Sequence, residues 1–169
     1  DELHVYEIVQ DNFVMVQGIS DYDPRKAPKV SDFITLPSKF CVVLSKPGFL
    51  GISKRISDEK TRKRLKPLKK MATKGLGIIL RTSCENETLK DIREDISKTK
   101  KRWKMIMQLF KKNKSVGILH QEDNILDSIL REFLNSETKE IEFDSRRIHT
   151  YFKKKLEKNK SVIKLKTTN

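Results

Sequence analysis

Cysteine is scarce in this sequence. Cys41, in FCVVL, and Cys84, in RTSC, are its two copies, and their separation gives neither a metal-ligand spacing nor a disulfide framework. A disulfide-stapled secreted domain is thereby excluded, and a reducing compartment is expected: the cytoplasm, or an organellar matrix or stroma. Long apolar runs are also missing. No stretch approaches the length that crosses a bilayer, so no transmembrane association is expected, and the acidic start DELHVYEIV lacks the features of a secretory signal. Histidine occurs three times, as His4, His120 and His149, with no base, nucleophile and orienting partner gathered around any of them. Glycine-rich nucleotide loops are absent too, since GLGII is two glycines before a strand. The lack of an initiator methionine leads to the expectation that the chain begins inside a longer polypeptide.

Positive charge is what the sequence has in excess. Against 23 Asp and Glu stand 37 Lys and Arg, a formal net charge of +14 over 169 residues. Such a balance favours a polyanionic partner, nucleic acid first and an anionic membrane surface second. The length accommodates one ordinary domain or two or three small ones.

LHVYE and FVMVQ, residues 3–7 and 13–17, are rich in valine and aromatics and predict β-strands around the turn signal QDN. GISDYDPRKAPKVS reads as a loop, after which FITLPSKF and CVVLS resume the strand pattern. Ser57, followed by Asp58 and Glu59, predicts an N-cap and a helix to about Leu65, stopped near Pro67. Between Lys54 and Lys74 the basic residues Lys54, Arg55, Lys60, Arg62, Lys63, Arg64, Lys66, Lys69, Lys70 and Lys74 face only Asp58 and Glu59 as acids. That density suits a nucleic-acid backbone, with a solvated helix face as the plainer alternative.

GLGIILRTSC predicts a strand ending in polar groups. Behind it, Leu89, Ile92, Ile96, Thr99, Trp103, Ile106 and Phe110 recur every three or four residues, which predicts one long amphipathic helix with Trp103 on its core stripe rather than on a stacking surface. SVGILH, KEIEFD and SVIKLK predict strands. They alternate with helices over DNILDSILREFL, with Ile125, Leu126, Ile129, Leu130 and Phe133 turned inward, and over SRRIHTYFKKKLEKN. This series suggests a small α/β layer.

Arg81, Thr82 and Ser83 have the chemistry of a phosphate site: a guanidinium fork beside two hydroxyls, ahead of a helix N-terminus. An equal alternative pairs Arg81 with a carboxylate and leaves Ser83 to cap the helix. Asp123, Asp127, Glu140, Glu142 and Asp144 are carboxylates without a metal-binding pattern, and Asp123 and Asp127 read as a solvated or capping helix edge.

GLGIILRTSC followed by a helix with RWKMI resembles the ribonuclease E and ribonuclease G family, in which a GLIVRT strand precedes a helix with an LW pair. FITLPSKFCVVLSKPGFLGISKRI is similar to the family's upstream stretch ending in GGISRR; LHQEDNILDSILREFL and IKLKT resemble its HQE helix and IKLYTG segments. The resemblance implies a mixed α+β and α/β chain: the end of an S1-type β-barrel over residues 1–37, a 5' sensor domain over 38–115, and part of a ribonuclease H-like α/β domain over 116–169. By the same resemblance, an RNA 5'-monophosphate docks on Arg81 and Thr82, against the contact segment Gly51, Ile52, Ser53, Lys54 and Arg55. Lys63, Arg64, Lys66 and Lys70 would attract the backbone. This chain has Leu50 where the family commonly has a first glycine, and Lys54 in place of an arginine, so the second wall of the socket departs from the pattern.

The resemblance further implies a parent endoribonuclease acting on single-stranded RNA in ribosomal or messenger RNA processing. Its Mg2+ would be held by aspartates of a nuclease domain beyond this segment, with no cofactor and no catalytic residue in the chain itself. The expected partners are RNA and the remainder of a larger polypeptide or complex, with a homo-oligomer open. A catalytically silent, ribosome-associated RNA scaffold of the same family is the alternative. A membrane-surface or protein-docking module is a third, weaker class.

Overall fold

The computed structural model describes residues 2–8, 12–19, 25–27, 29–46, 48–72, 75–113, 115–121, 125–134, 138–158 and 163–168. It has a mixed α+β architecture with open sheets, and it divides into two compact units, Asp1–Glu122 and Asp123–Asn169. Gln10 and Asp11 of the expected QDN turn, Lys74 and Asp123 lie outside the described residues.

In the first unit, β1 (Glu2–Ile8) and β2 (Asn12–Gly18) form an antiparallel hairpin in the register Leu3↔Gln17 to Ile8↔Asn12. A short β3 (Val30–Ser31) adds to β2, inside the stretch expected to be loop. β8 (Gly117–Gln121), the first strand of the alternating series, pairs antiparallel with β1 and completes the order β3-β2-β1-β8.

A second sheet has the order β4-β5-β7-β6, from β4 (Thr35–Pro37), β5 (Cys41–Leu44), β6 (Leu50–Ile52) and β7 (Gly77–Leu80). Gln17 links the sheets: its amide donates to Thr35 O at 3.1 Å and accepts from Thr35 N at 2.8 Å, which satisfies a nearly fully buried polar side chain. β6 and β7 are parallel, and their connection carries α1 (Glu59–Leu65) and a 3-10 segment, Lys66–Met71. Asp58, not Ser57, is the N-cap of α1, accepting from Thr61 N at 2.8 Å. The α-helix ends at Leu65 as expected, and Pro67 sits in the first turn of the 3-10 segment that follows, where a missing N–H costs no hydrogen bond.

The long helix α2 (Leu89–Lys112) starts at Thr88, whose hydroxyl accepts from Asp91 N. Its expected stripe is the buried one. Ile92, Ile96, Thr99 and Ile106 are buried, and Leu89 and Trp103 pack partly buried against a core that includes Ile34, Leu36, Val43, Ile56, Leu65, Leu68, Ile78 and Leu80. Thr99 fits an apolar stripe because its hydroxyl donates to Asp95 O one turn back, at 2.8 Å. Gly77 is needed for close packing, since a Cβ there would stand 2.7 Å from the Lys46 carbonyl oxygen.

In the second unit, β9 (Glu140–Phe143), α4 (Arg146–Lys158) and β10 (Lys164–Thr167) form a β-α-β crossover with β9 and β10 parallel. Phe143, Phe152 and Leu156 are buried, with the two rings edge to face at 4.9 Å. The helix α3 (Ile125–Phe133) departs from expectation. Of its five apolar residues, Leu126 and Leu130 are half-buried, whereas Ile125 and Phe133 are 74% and 73% exposed and Ile129 is exposed as well. A nine-residue helix has an apolar stripe wider than this unit's described residues cover.

Candidate nucleic-acid interface

The two segments singled out in the sequence meet at the carboxyl ends of neighbouring parallel strands. Gly51 lies opposite Ile79 and Ile52 opposite Leu80, and the ladder runs one step further as Ser53 N donates to Leu80 O at 2.9 Å. The hydroxyls of Ser53 and Thr82 then stand 3.4 Å apart, beside Arg81. Leu50, the departure from a double glycine, turns its side chain to the core. Lys54 and Arg55 are exposed just beyond, where Arg55 N donates to Ser53 Oγ.

Arg81 is extended, half-buried and fixed by its surroundings. Its amide donates to Phe40 O, and its Nη1 donates to Ser38 O, both at 2.9 Å. Asp95 of α2 holds the Ser38–Phe40 turn in place, accepting from Ser38 Oγ at 2.6 Å and from Phe40 N at 3.0 Å. Ser83 does not cap α2: its hydroxyl donates to Lys39 O at 2.6 Å, and a 3-10 turn, Thr82–Cys84, separates Arg81 from the helix.

Two arginines counted with the basic segment have a different task. Arg62 Nη1 donates to Ser53 O at 3.0 Å and Ile56 O at 2.9 Å. Arg64 donates to Glu87 O through Nη1 at 2.6 Å, and to Cys84 O and Glu85 O through Nη2 at 3.0 and 2.8 Å. From one short helix, the two guanidiniums fasten the loop after β6 and the loop after β7. Sequence alone shows two more cations; the carbonyls that receive them become visible only in three dimensions. Lys54, Arg55, Lys60, Lys63, Lys66, Lys69 and Lys70 are exposed and form no ion pair among the described residues.

Both cysteines are fully buried and free. Burial pushes each thiol up to about 12, so both stay protonated and serve as packing groups. Cys84 Sγ donates to Phe40 O at 3.0 Å, adding to the same corner. No group of three or more His, Cys, Asp or Glu able to hold a metal occurs among the described residues. Asp127 is paired with Lys155 at 2.7 Å and Glu140 with Lys166 at 2.7 Å. His120 Nε2 lies 3.3 Å from Arg102 Nη2, and His149 packs edge to face on Phe143. Among the described residues, no helix is long and apolar enough to cross a membrane.

The family model described as Ribonuclease E/G family matches residues 35–168. Ribonuclease E of Nostoc sp. is 28% identical over 133 residues, covering 78% of this chain and 19% of that protein. Ribonuclease G of Escherichia coli is 30% identical over 138 residues, covering 81% and 28%, and that of Haemophilus influenzae 28% identical over 134 residues, covering 79% and 27%. The chain thus spans between about a fifth and somewhat over a quarter of the length of these curated relatives. With a matched model extending over most of its residues, the chain belongs to the ribonuclease E/G family.

Proposed function

We propose that this chain binds RNA and senses its 5'-monophosphate as part of a ribonuclease E/G-type endoribonuclease that acts on single-stranded ribosomal or messenger RNA. The observation that carries the reading is the convergence of Ser53 and Thr82, their hydroxyls 3.4 Å apart next to a buttressed Arg81. A terminal phosphate offers several acceptor oxygens and a charge that a 5'-hydroxyl lacks. A guanidinium and two hydroxyls held at the carboxyl ends of two paired strands distinguish those RNA ends, whereas exposed lysines only attract a strand.

In this reading residues 1–37 are the end of an S1-type domain, 38–115 the sensor and 116–169 part of a ribonuclease H-like domain. Lys54, Arg55, Lys63, Lys66 and Lys70 attract the RNA backbone, while Arg64 positions the loop behind Thr82. Mg2+ and the hydrolytic step belong to a nuclease domain of the parent protein. The exposed, unpaired cations also suit a second reading, a catalytically silent RNA scaffold indifferent to the 5' end. Titrating the chain with otherwise identical short RNAs, one with a 5'-monophosphate and one with a 5'-hydroxyl, separates the two. Tighter binding of the monophosphate supports the sensor. Equal affinity replaces it with the scaffold.

A further inference from the structure

Phe49, in the connection between β5 and β6, is 37% exposed. Its ring lies over Gly51, where a Cβ would come 3.1 Å from Phe49 Cε1 and 3.2 Å from Ile79 Cγ1. Its main chain is fixed, because Phe49 O accepts the Ile78 amide at 2.7 Å. Ile78 and Leu80 are fully buried, so strand alternation turns Ile79 and the extended Arg81 to the opposite, outward face. Gly51 is the register partner of Ile79, and Ser53 follows two residues later on the same side. The ring therefore shares a face with Ser53 and Arg81, about 7 Å upstream of Ser53 by strand rise. Lys46 Nζ lies over the ring, 4.9 Å from its centroid, so that a stacking base would take the place of this flexible ammonium.

We infer that Phe49 is a stacking platform for the first base of an RNA whose 5' phosphate occupies the Ser53, Arg81 and Thr82 socket. This inference rests on the sensor reading above. An exposed aromatic ring beside a cation is the arrangement that takes an unpaired base, and it tolerates any base because each has a π-face. The absence of a side chain at Gly51 gives the ring its seat. A phosphate socket by itself accepts inorganic phosphate as readily as a nucleic-acid end. The ring one nucleotide's reach away makes the site select a phosphate that carries a base, and Lys46, displaced from the ring by that base, is free to pair with the backbone.

The test uses the whole chain, Phe49→Leu and Phe49→Tyr, with RNAs carrying 2-aminopurine or an abasic residue at the first position, each with a 5'-monophosphate or a 5'-hydroxyl. Leucine keeps apolar cover over Gly51 and Gly77 but cannot stack. Wild type should quench the 2-aminopurine on binding. Phe49→Leu should lose that quench and weaken monophosphorylated RNA about tenfold, within the range a stacking ring contributes. Phe49→Tyr should retain both properties, and the abasic RNA should bind wild type and Phe49→Leu alike. Unchanged quench and affinity in Phe49→Leu, with a preserved preference for the monophosphate, would overturn the platform and leave the socket standing. Loss of quench and affinity for both RNA ends, without any phosphate preference in wild type, would keep the platform and remove the sensor reading.

Discussion

Replacing Arg64 by methionine keeps the apolar stem of the side chain and removes the guanidinium that holds the loop behind Thr82. Three carbonyl oxygens, of Cys84, Glu85 and Glu87, then lose charged donors at 3.0, 2.8 and 2.6 Å. Hydrogen bonds to a charged group contribute roughly 1.5–3 kcal/mol each, but bonds from one side chain do not add, and these carbonyls can regain water, so the net loss is about 3 kcal/mol. In a chain of this size that lowers the melting temperature by roughly 10 °C. Circular dichroism measures the melt, and amide hydrogen exchange locates the damage. Cys84 N and Glu85 N, which donate to Arg81 O and Thr82 O, should exchange faster, while the amides of β1 and β2 should not. Lys63→Ala, one residue away and exposed, should change stability by less than about 0.5 kcal/mol. Unaltered exchange across residues 82–87 in Arg64→Met would refute the idea that α1 fastens this loop.

Other outcomes follow from the same geometry. Changing Lys63, Lys66 and Lys70 together to alanine should weaken RNA binding and reduce the slope of log affinity against log salt by roughly 2, because each neutralised phosphate of a single strand releases about 0.7 of a counterion. Cys41 and Cys84, with thiols pushed up to about 12 by burial, should resist alkylation at pH 8 in the native chain and react at once in denaturant. Burial disfavours the charged form of Asp127, but hydrogen bonds from Lys155 and Tyr151 outweigh this and hold its pKa below the ordinary 3.8. A depressed folded pKa adds stability that is complete above the unfolded value and is lost as pH falls through the folded one. Melts of wild type and Asp127→Asn should therefore differ at pH 6 and converge below pH 3.8.

Local pattern was enough to read α2. Its stripe from Leu89 to Phe110 recurs with helical spacing, and Thr99 could be included because its hydroxyl bonds back to the helix. β6 was missed, since LGI is three residues long and becomes a strand only through its parallel ladder with β7. The cap of α1 shifted from Ser57 to its neighbour Asp58, within the uncertainty that adjacent capping residues leave. In α3 the periodicity correctly signalled a helix, but it could not say which part of the stripe would be covered, and Ile125 and Phe133 are exposed. For the socket, residue types pointed to Arg81, Thr82 and Ser83, and the family resemblance to Ser53; Ser83 instead bonds Lys39 O. The roles of Arg62, Arg64 and Asp95 depend on partners between 6 and 57 positions away, which no local pattern encodes.

The central claim, that Arg81 and Thr82 recognise a terminal phosphate, is tested most directly by a cycle crossing wild type, Arg81→Ala and Thr82→Ala with 5'-monophosphate and 5'-hydroxyl RNA. Circular dichroism confirms the fold of each variant. Losing one charged hydrogen bond costs about 1.5–3 kcal/mol, so Arg81→Ala should weaken the monophosphate complex by more than about tenfold while leaving the hydroxyl complex within about twofold. Thr82→Ala should lower the preference without removing general RNA binding. Equal weakening of both RNAs by Arg81→Ala would show that the arginine serves backbone attraction or the fold, and would contradict the phosphate socket.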